Sequence, residues 1–117
     1  MFEKYLNISI LLDFYGDILT DRQKEMIDMY YNNDLSLSEI AQNFSISRQG
    51  VRSVIKKGED ILSEMEEKLH LAARFVEVQE KSENIASALS DLNDKINDSS
   101  ISTEISHLIK KIKELAD

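Results

Sequence analysis

Apolar residues recur along most of this chain at intervals of three and four, the period of a helix with one buried face. Phe2, Tyr5, Ile8, Leu12 and Tyr15 share such a face and predict a helix over residues 2–14, with Gly16 placed to end it in a left-handed conformation. Thr20 followed by Gln23 is a capping box, and it opens a second helix over 20–32 that carries Met26, Ile27, Tyr30 and Tyr31. Ser36-Leu37-Ser38-Glu39 repeats the box and starts a third helix, 36–44. After the short connection Ser45-Ile46, Ser47 is a good cap for a fourth helix running from 47 through 58 and onward.

That fourth helix has no obvious end. Val51, Ile55, Gly58, Leu62, Met65, Leu69, Ala72 and Val76 alternate in steps of four and three, a heptad seam, which then slips to Val78, Ser82, Ile85, Leu89, Leu92 and Ile96. Unbroken from 47 to 97, it would be ~75 Å long, too long to pack inside one small domain. It is therefore expected either to break near His70–Lys81, where the register shifts, or to project and pair. Asn97-Asp98-Ser99-Ser100 reads as a loop, and Ile101, Ile105, Leu108, Ile112 and Leu115 return to the same spacing in a last helix. Seams this long point to a homodimer held by Leu62, Met65, Leu69, Ile85, Leu89, Leu92, Ile105, Leu108, Ile112 and Leu115. The competing expectation is that these helices fold back on the N-terminal ones.

Composition sharpens this picture. With no Pro and three Gly in 117 residues, tight turns and short strands are disfavoured and the fold class is all-α. The absence of Cys excludes disulfides, thiolate catalysis and Cys-based metal sites. No basic leader with a cleavage site opens the chain, and no apolar run reaches the ~20 residues of a membrane span, so a cytoplasmic protein is expected. Charge and aromatics are unevenly spread. Residues 1–58 hold 7 basic and 8 acidic groups, whereas 59–117 hold 7 and 14; seven of the eight aromatics lie within the first 44 residues. The expected division is a helix-turn-helix domain, 1–58, and an acidic helical extension, 59–117, that dimerises.

The stretch from Leu35 to Gly58 carries the most chemistry. Two helices joined by a three- or four-residue turn must cross closely, and Ala41 supplies the small residue where they do. Leu37, Ile40 and Phe44 give the first helix its apolar face, Ile46 plugs the turn, and Val51 and Ile55 anchor the second helix. Between Ile46 and Gly58 stand four basic residues and no acidic one, within a chain of net charge −8. Such a local reversal is what a phosphate-facing helix requires. Arg48, Arg52, Lys56 and Lys57 are the candidate phosphate contacts. Gln49 and Ser53 are candidates for base edges, and Ser47 is first a helix cap and second a phosphate contact.

EIAQNFSISRQGVRSVIKKGEDIL resembles the helix-turn-helix of region 4 of bacterial sigma factors. The longer stretch LTDRQKEMIDMYYNNDLSLSEIAQNFSISRQGVRSVIKKGEDILSEMEEKLHL is more closely similar to the YlxM family of small bacterial helix-turn-helix proteins. The combination of L-T-x-x-Q at 19–23, Tyr30-Tyr31, D-L-S-L-x-E-I-A at 34–41 and S-R-Q at 47–49 carries the likeness. Ser45 stands where region 4 commonly has Gly, and Gly50 within the second helix is a mild departure. The resemblance implies a sigma-region-4-like head, a dimer, and a regulatory or accessory role beside the signal recognition particle.

Nucleic-acid binding is thus the leading function, DNA ahead of RNA, with the signal recognition particle as a candidate partner. The alternatives are a protein–protein adaptor using the same fold as a scaffold, which the net charge of −8 favours, and a binder of structured RNA. Tyr15, Tyr30 and Tyr31 are read as structural. Glu64, Glu66 and Glu67 are read as a solvated face in which Glu64 pairs with Lys68. His70 and His107 lack neighbours at metal-ligand spacing, so no metal or other cofactor is expected. Without a phosphate-cradling Gly loop or a nucleophile–base pair, no enzyme is expected either.

Overall fold

A computed structural model describes residues 7–115, and among these it contains six α-helices and no strand: α1 Ile8–Tyr15, α2 Asp21–Tyr31, α3 Leu37–Phe44, α4 Arg48–Leu69, α5 Leu71–Asn93 and α6 Ser99–Glu114. The chain divides into two compact units, 1–73 and 74–117.

In the first unit the caps read from the sequence set the helix starts. Thr20 and Ser36 each accept from the backbone N–H three residues on, while Gln23 and Glu39 reach back to the cap N–H groups. Asn7 caps α1 by accepting from the Ile10 N–H at 3.0 Å. The first helix thus starts at Ile8, and residues 2–6 of the expected span lie outside the described residues. Gly16 is not left-handed: its φ is −56°, and α1 passes directly into a 3-10 turn, Gly16–Ile18, that delivers buried Leu19.

α4 is the central element, packing against α1, α2 and α3. Leu11, Met26, Ile27, Ile40, Val51 and Leu62 are fully buried around it. Gly58 lies at the crossing with α2, where a Cβ would meet Ile27 Cδ1 at 2.4 Å. A second link between the same helices is Tyr31, whose hydroxyl donates to Glu59. Burial and that carboxylate together push the Tyr31 phenol well above its ordinary range.

The boundary expected after residue 58 therefore falls inside α4, and the units separate only after Ala73. Residues 59–73 belong with the head because Glu59 holds Tyr31, Leu62 fills the core, and Glu66 holds Tyr15. Leu62 is fully buried within the single chain, so it is a core residue and is not available to a partner.

The long helix breaks at His70, which adopts φ 56°, ψ 25° and lets α5 begin one residue later. The cause is Glu66, whose side chain is not part of a solvated face but buried, at 2% exposure. Its Oε1 accepts from the Tyr15 hydroxyl at 2.6 Å and the Ala72 N–H at 3.0 Å, and its Oε2 from the Ala73 N–H at 3.0 Å. Tyr15 oxygen in turn accepts from the Leu71 N–H at 3.2 Å. Burial acts to raise the Glu66 pKa, but the bonds from Tyr15, Ala73 and Ala72 outweigh it and hold the carboxyl below its ordinary value. Glu64, by contrast, is exposed and pairs with Lys68 at 2.9 Å as expected.

In the second unit, α5 and α6 are joined by residues 94–98, with Asp98 capping α6 through the Ser100 and Ile101 N–H groups. Asn93 Nδ2 donates to Ser106 across the pair at 3.3 Å. Ala86 and Ile105 are buried, so Ile105 too is internal to the chain. Other apolar side chains are left out. Ile85 and Leu92 on α5, and Ile101 and Leu108 on α6 with Leu115 at its C-cap, repeat every seven residues and stay 45–66% exposed.

Candidate nucleic-acid interface

The turn between α3 and α4 is built by backbone hydrogen bonds that close on Ala41. Ile46 N–H reaches the Ala41 carbonyl at 3.1 Å and Ser45 N–H reaches that of Gln42 at 3.3 Å, the pairing of a Schellman cap. The geometry requires a left-handed residue, and Ser45 takes it with φ 56°, ψ 42°. Ala41, Ile40, Val51 and Ile55 are buried beneath the crossing, as the sequence predicts, and Ile46 is half-buried over the turn.

Ser47 then caps α4, its oxygen accepting from the Gly50 N–H at 3.0 Å. That bond engages the oxygen and leaves the hydroxyl proton free to donate. Gly50 is seated against this cap, since a Cβ there would lie 3.3 Å from Ser47 Oγ and 3.4 Å from Ile46 Cδ1. Arg48, Gln49, Arg52, Ser53, Lys56 and Lys57 are all exposed on the first turns of α4. Arg48, Arg52 and Lys57 form no ion pair among the described residues. Lys56 does: its ammonium meets Asp60 Oδ1 at 2.9 Å, and that hydrogen bond and charge hold it above the ordinary lysine range.

Two features escaped the sequence reading. Asp60 lies four residues after Lys56, the spacing of a helical ion pair, and partly spends the charge of one candidate phosphate contact. Arg22 on α2 places its guanidinium 5.7 Å from the Phe44 ring centre, at the end of α3 beside the turn. Nothing in linear spacing brings residues 22 and 44 together; the packing of α2 on α3 does.

A buried crossing, a short capped turn and a following helix with an outward basic face define a helix-turn-helix protein. Residues 2–115 match the UPF0122 family model, described as "Putative helix-turn-helix protein, YlxM / p13 like", and the chain belongs to that family. It is 44% identical over 112 residues to a UPF0122 protein of Acetivibrio thermocellus, covering 96% of this chain and 92% of that one. Similar relatives are the UPF0122 proteins of Thermoanaerobacter sp., 39% identical over 115 residues and 98% of both chains, and of Halalkalibacterium halodurans, 38% identical over 115 residues, 98% of this chain and 99% of that one.

Proposed function

We propose that this chain is a regulatory nucleic-acid-binding protein that sets the N-terminal half of α4 against duplex DNA. The observation that carries the reading is the face itself. Arg48, Arg52 and Lys57 are exposed, form no ion pair among the described residues, and follow directly on a helix-turn-helix turn in a chain of net charge −8. In this reading those three hold phosphates, Lys56 joins them on leaving Asp60, and Ser47 donates to a phosphate oxygen from the helix start. Gln49 and Ser53 sample base edges. Ile85, Leu92, Leu108 and Leu115, with Met65, Leu69, Leu89 and Ile112 contributing, join two copies and so present two heads. The exposed seven-residue repeats on α5 and α6 support this pairing, because apolar side chains at that spacing are the seam of a helical bundle.

A specific observation favours the adaptor alternative. Asp13, Asp17, Asp21, Glu25 and Asp28 line one groove of the head with Lys24 the sole cation there, a surface suited to a basic partner. The family resemblance adds the signal recognition particle as a partner to be tried, through its RNA or its protein.

Fluorescence anisotropy across a salt series separates these readings. Random duplex DNA and signal recognition particle RNA are titrated with wild type and with Arg48→Ala/Arg52→Ala. Three phosphate contacts per head give a slope of log K against log salt near −2.7, about −5.4 for two heads, with ~0.9 more per head if Lys56 engages. Salt-dependent binding that the double variant loses supports the phosphate-reading face, and the tighter ligand assigns DNA or RNA. Absence of binding to both at low salt overturns it in favour of the adaptor.

A further inference from the structure

We propose that α4 and α5 are one helix held broken by a side-chain clamp, and that releasing Tyr15 or Glu66 lets residues 48–93 zip into a continuous helix. Nothing in the local sequence requires a break. Glu66-Glu67-Lys68-Leu69-His70-Leu71-Ala72-Ala73 contains no Gly or Pro, and the heptad seam from Val51 to Val76 runs straight through it. The deviation is confined to one residue. His70 is left-handed, a conformation uncommon for any residue with a Cβ, yet its own N–H still reaches the Glu66 carbonyl at 2.8 Å as in an uninterrupted helix.

The next three N–H groups show what holds the break. In a continuous helix Leu71, Ala72 and Ala73 donate to the carbonyls of Glu67, Lys68 and Leu69. Here they donate instead to the Tyr15 hydroxyl, Glu66 Oε1 and Glu66 Oε2. Two side chains replace three backbone acceptors one for one, and Tyr15 bonded to Glu66 fixes both. Glu66 sits four residues after buried Leu62, on the same inner stripe of α4, so the clamp is anchored in the core. Removing an acceptor turns the balance toward the backbone carbonyls, which remain in place.

The test uses the full chain carrying Tyr15→Phe, which keeps the ring, and separately Glu66→Gln. NMR carbon shifts and the HN–Hα coupling of His70 report its φ, and amide exchange reports Leu71, Ala72 and Ala73. The chain lacks Cys, so Asp60→Cys/Glu83→Cys accepts two spin labels uniquely; they stand ~35 Å apart along a continuous helix. Both clamp variants are expected to raise the population of helical His70 at least tenfold and to populate that label distance, with the three amides still protected. His70→Gly, which relieves the left-handed residue, is expected to reverse the shift in the Tyr15→Phe background. A clamp that merely caps α5 gives the opposite result: His70 stays left-handed and the three amides exchange faster as the first turn frays. That outcome overturns the proposal. Should Glu66→Gln fail to fold, Tyr15→Phe decides alone.

Discussion

Tyr15→Phe removes one oxygen from the buried network at His70 and leaves the ring packing intact. The oxygen donates to a carboxylate at 2.6 Å and accepts from the Leu71 N–H. A hydrogen bond to a charged group contributes about 1.5–3 kcal/mol, so a loss of about 2 kcal/mol is expected, enough to lower Tm by roughly 8 °C for a chain of this size. Glu66→Gln replaces one acceptor oxygen by an NH2 group. Three donors converge on this carboxylate, so one of them must face that NH2, at a cost of about 2–3 kcal/mol. Because the two residues share a bond, the double variant falls short of the summed losses by about 1 kcal/mol or more.

The effect has a pH signature. The folded Glu66 pKa lies below its ordinary 4.5, so its contribution is complete above the unfolded value and is lost as pH falls through the folded one. Burial first, and then the Glu66 bond, raise the Tyr15 phenol above its ordinary 10.0. Its contribution is therefore complete below that value and is lost as pH rises through the folded one. Urea and thermal melts followed by circular dichroism should show the gap between wild type and Glu66→Gln steady near neutrality and closing below about pH 4.5. A Tyr15→Phe variant within ~0.5 kcal/mol of wild type, with no coupling to Glu66, would falsify the reasoning.

Gly58→Ala drives a Cβ against buried Ile27; after the helix-propensity gain it should cost about 1–2 kcal/mol in urea melts, and Ile27→Val, which deletes Cδ1, should restore most of it. Ser45→Gly relieves the left-handed residue in the turn and should raise stability by about 0.5–1 kcal/mol; a lower Tm would contradict that account of the turn. Asp60→Asn removes the ion pair that Lys56 must break and should tighten duplex binding, whereas Arg52→Ala should flatten the salt slope by ~0.9 per head. Leu92→Asp/Leu108→Asp places charges on both exposed repeats, and light scattering should then report a monomer that still melts cooperatively.

What the sequence determined by itself was local or periodic. Capping boxes at Thr20 and Ser36 and the cap at Ser47 fix helix starts because each involves groups three residues apart. The helix-turn-helix core, Ile40, Ala41, Val51 and Ile55, followed from spacing because a short turn leaves only one way to bury those faces. The exposed cations of α4 were legible for the same reason. What only the tertiary structure decided involves partners distant in the chain. Glu66 looked like one of three surface carboxylates until Tyr15, fifty-one residues earlier, met it in the core. The break expected near His70–Lys81 falls at His70, a position the seam alone could not choose, since the acceptors that replace the helical carbonyls come from outside the helical ladder. The head likewise extends to Ala73, and Leu62 belongs to the core, because burial depends on which face α1 and α2 cover. Periodicity marks a face as apolar; only packing chooses what covers it.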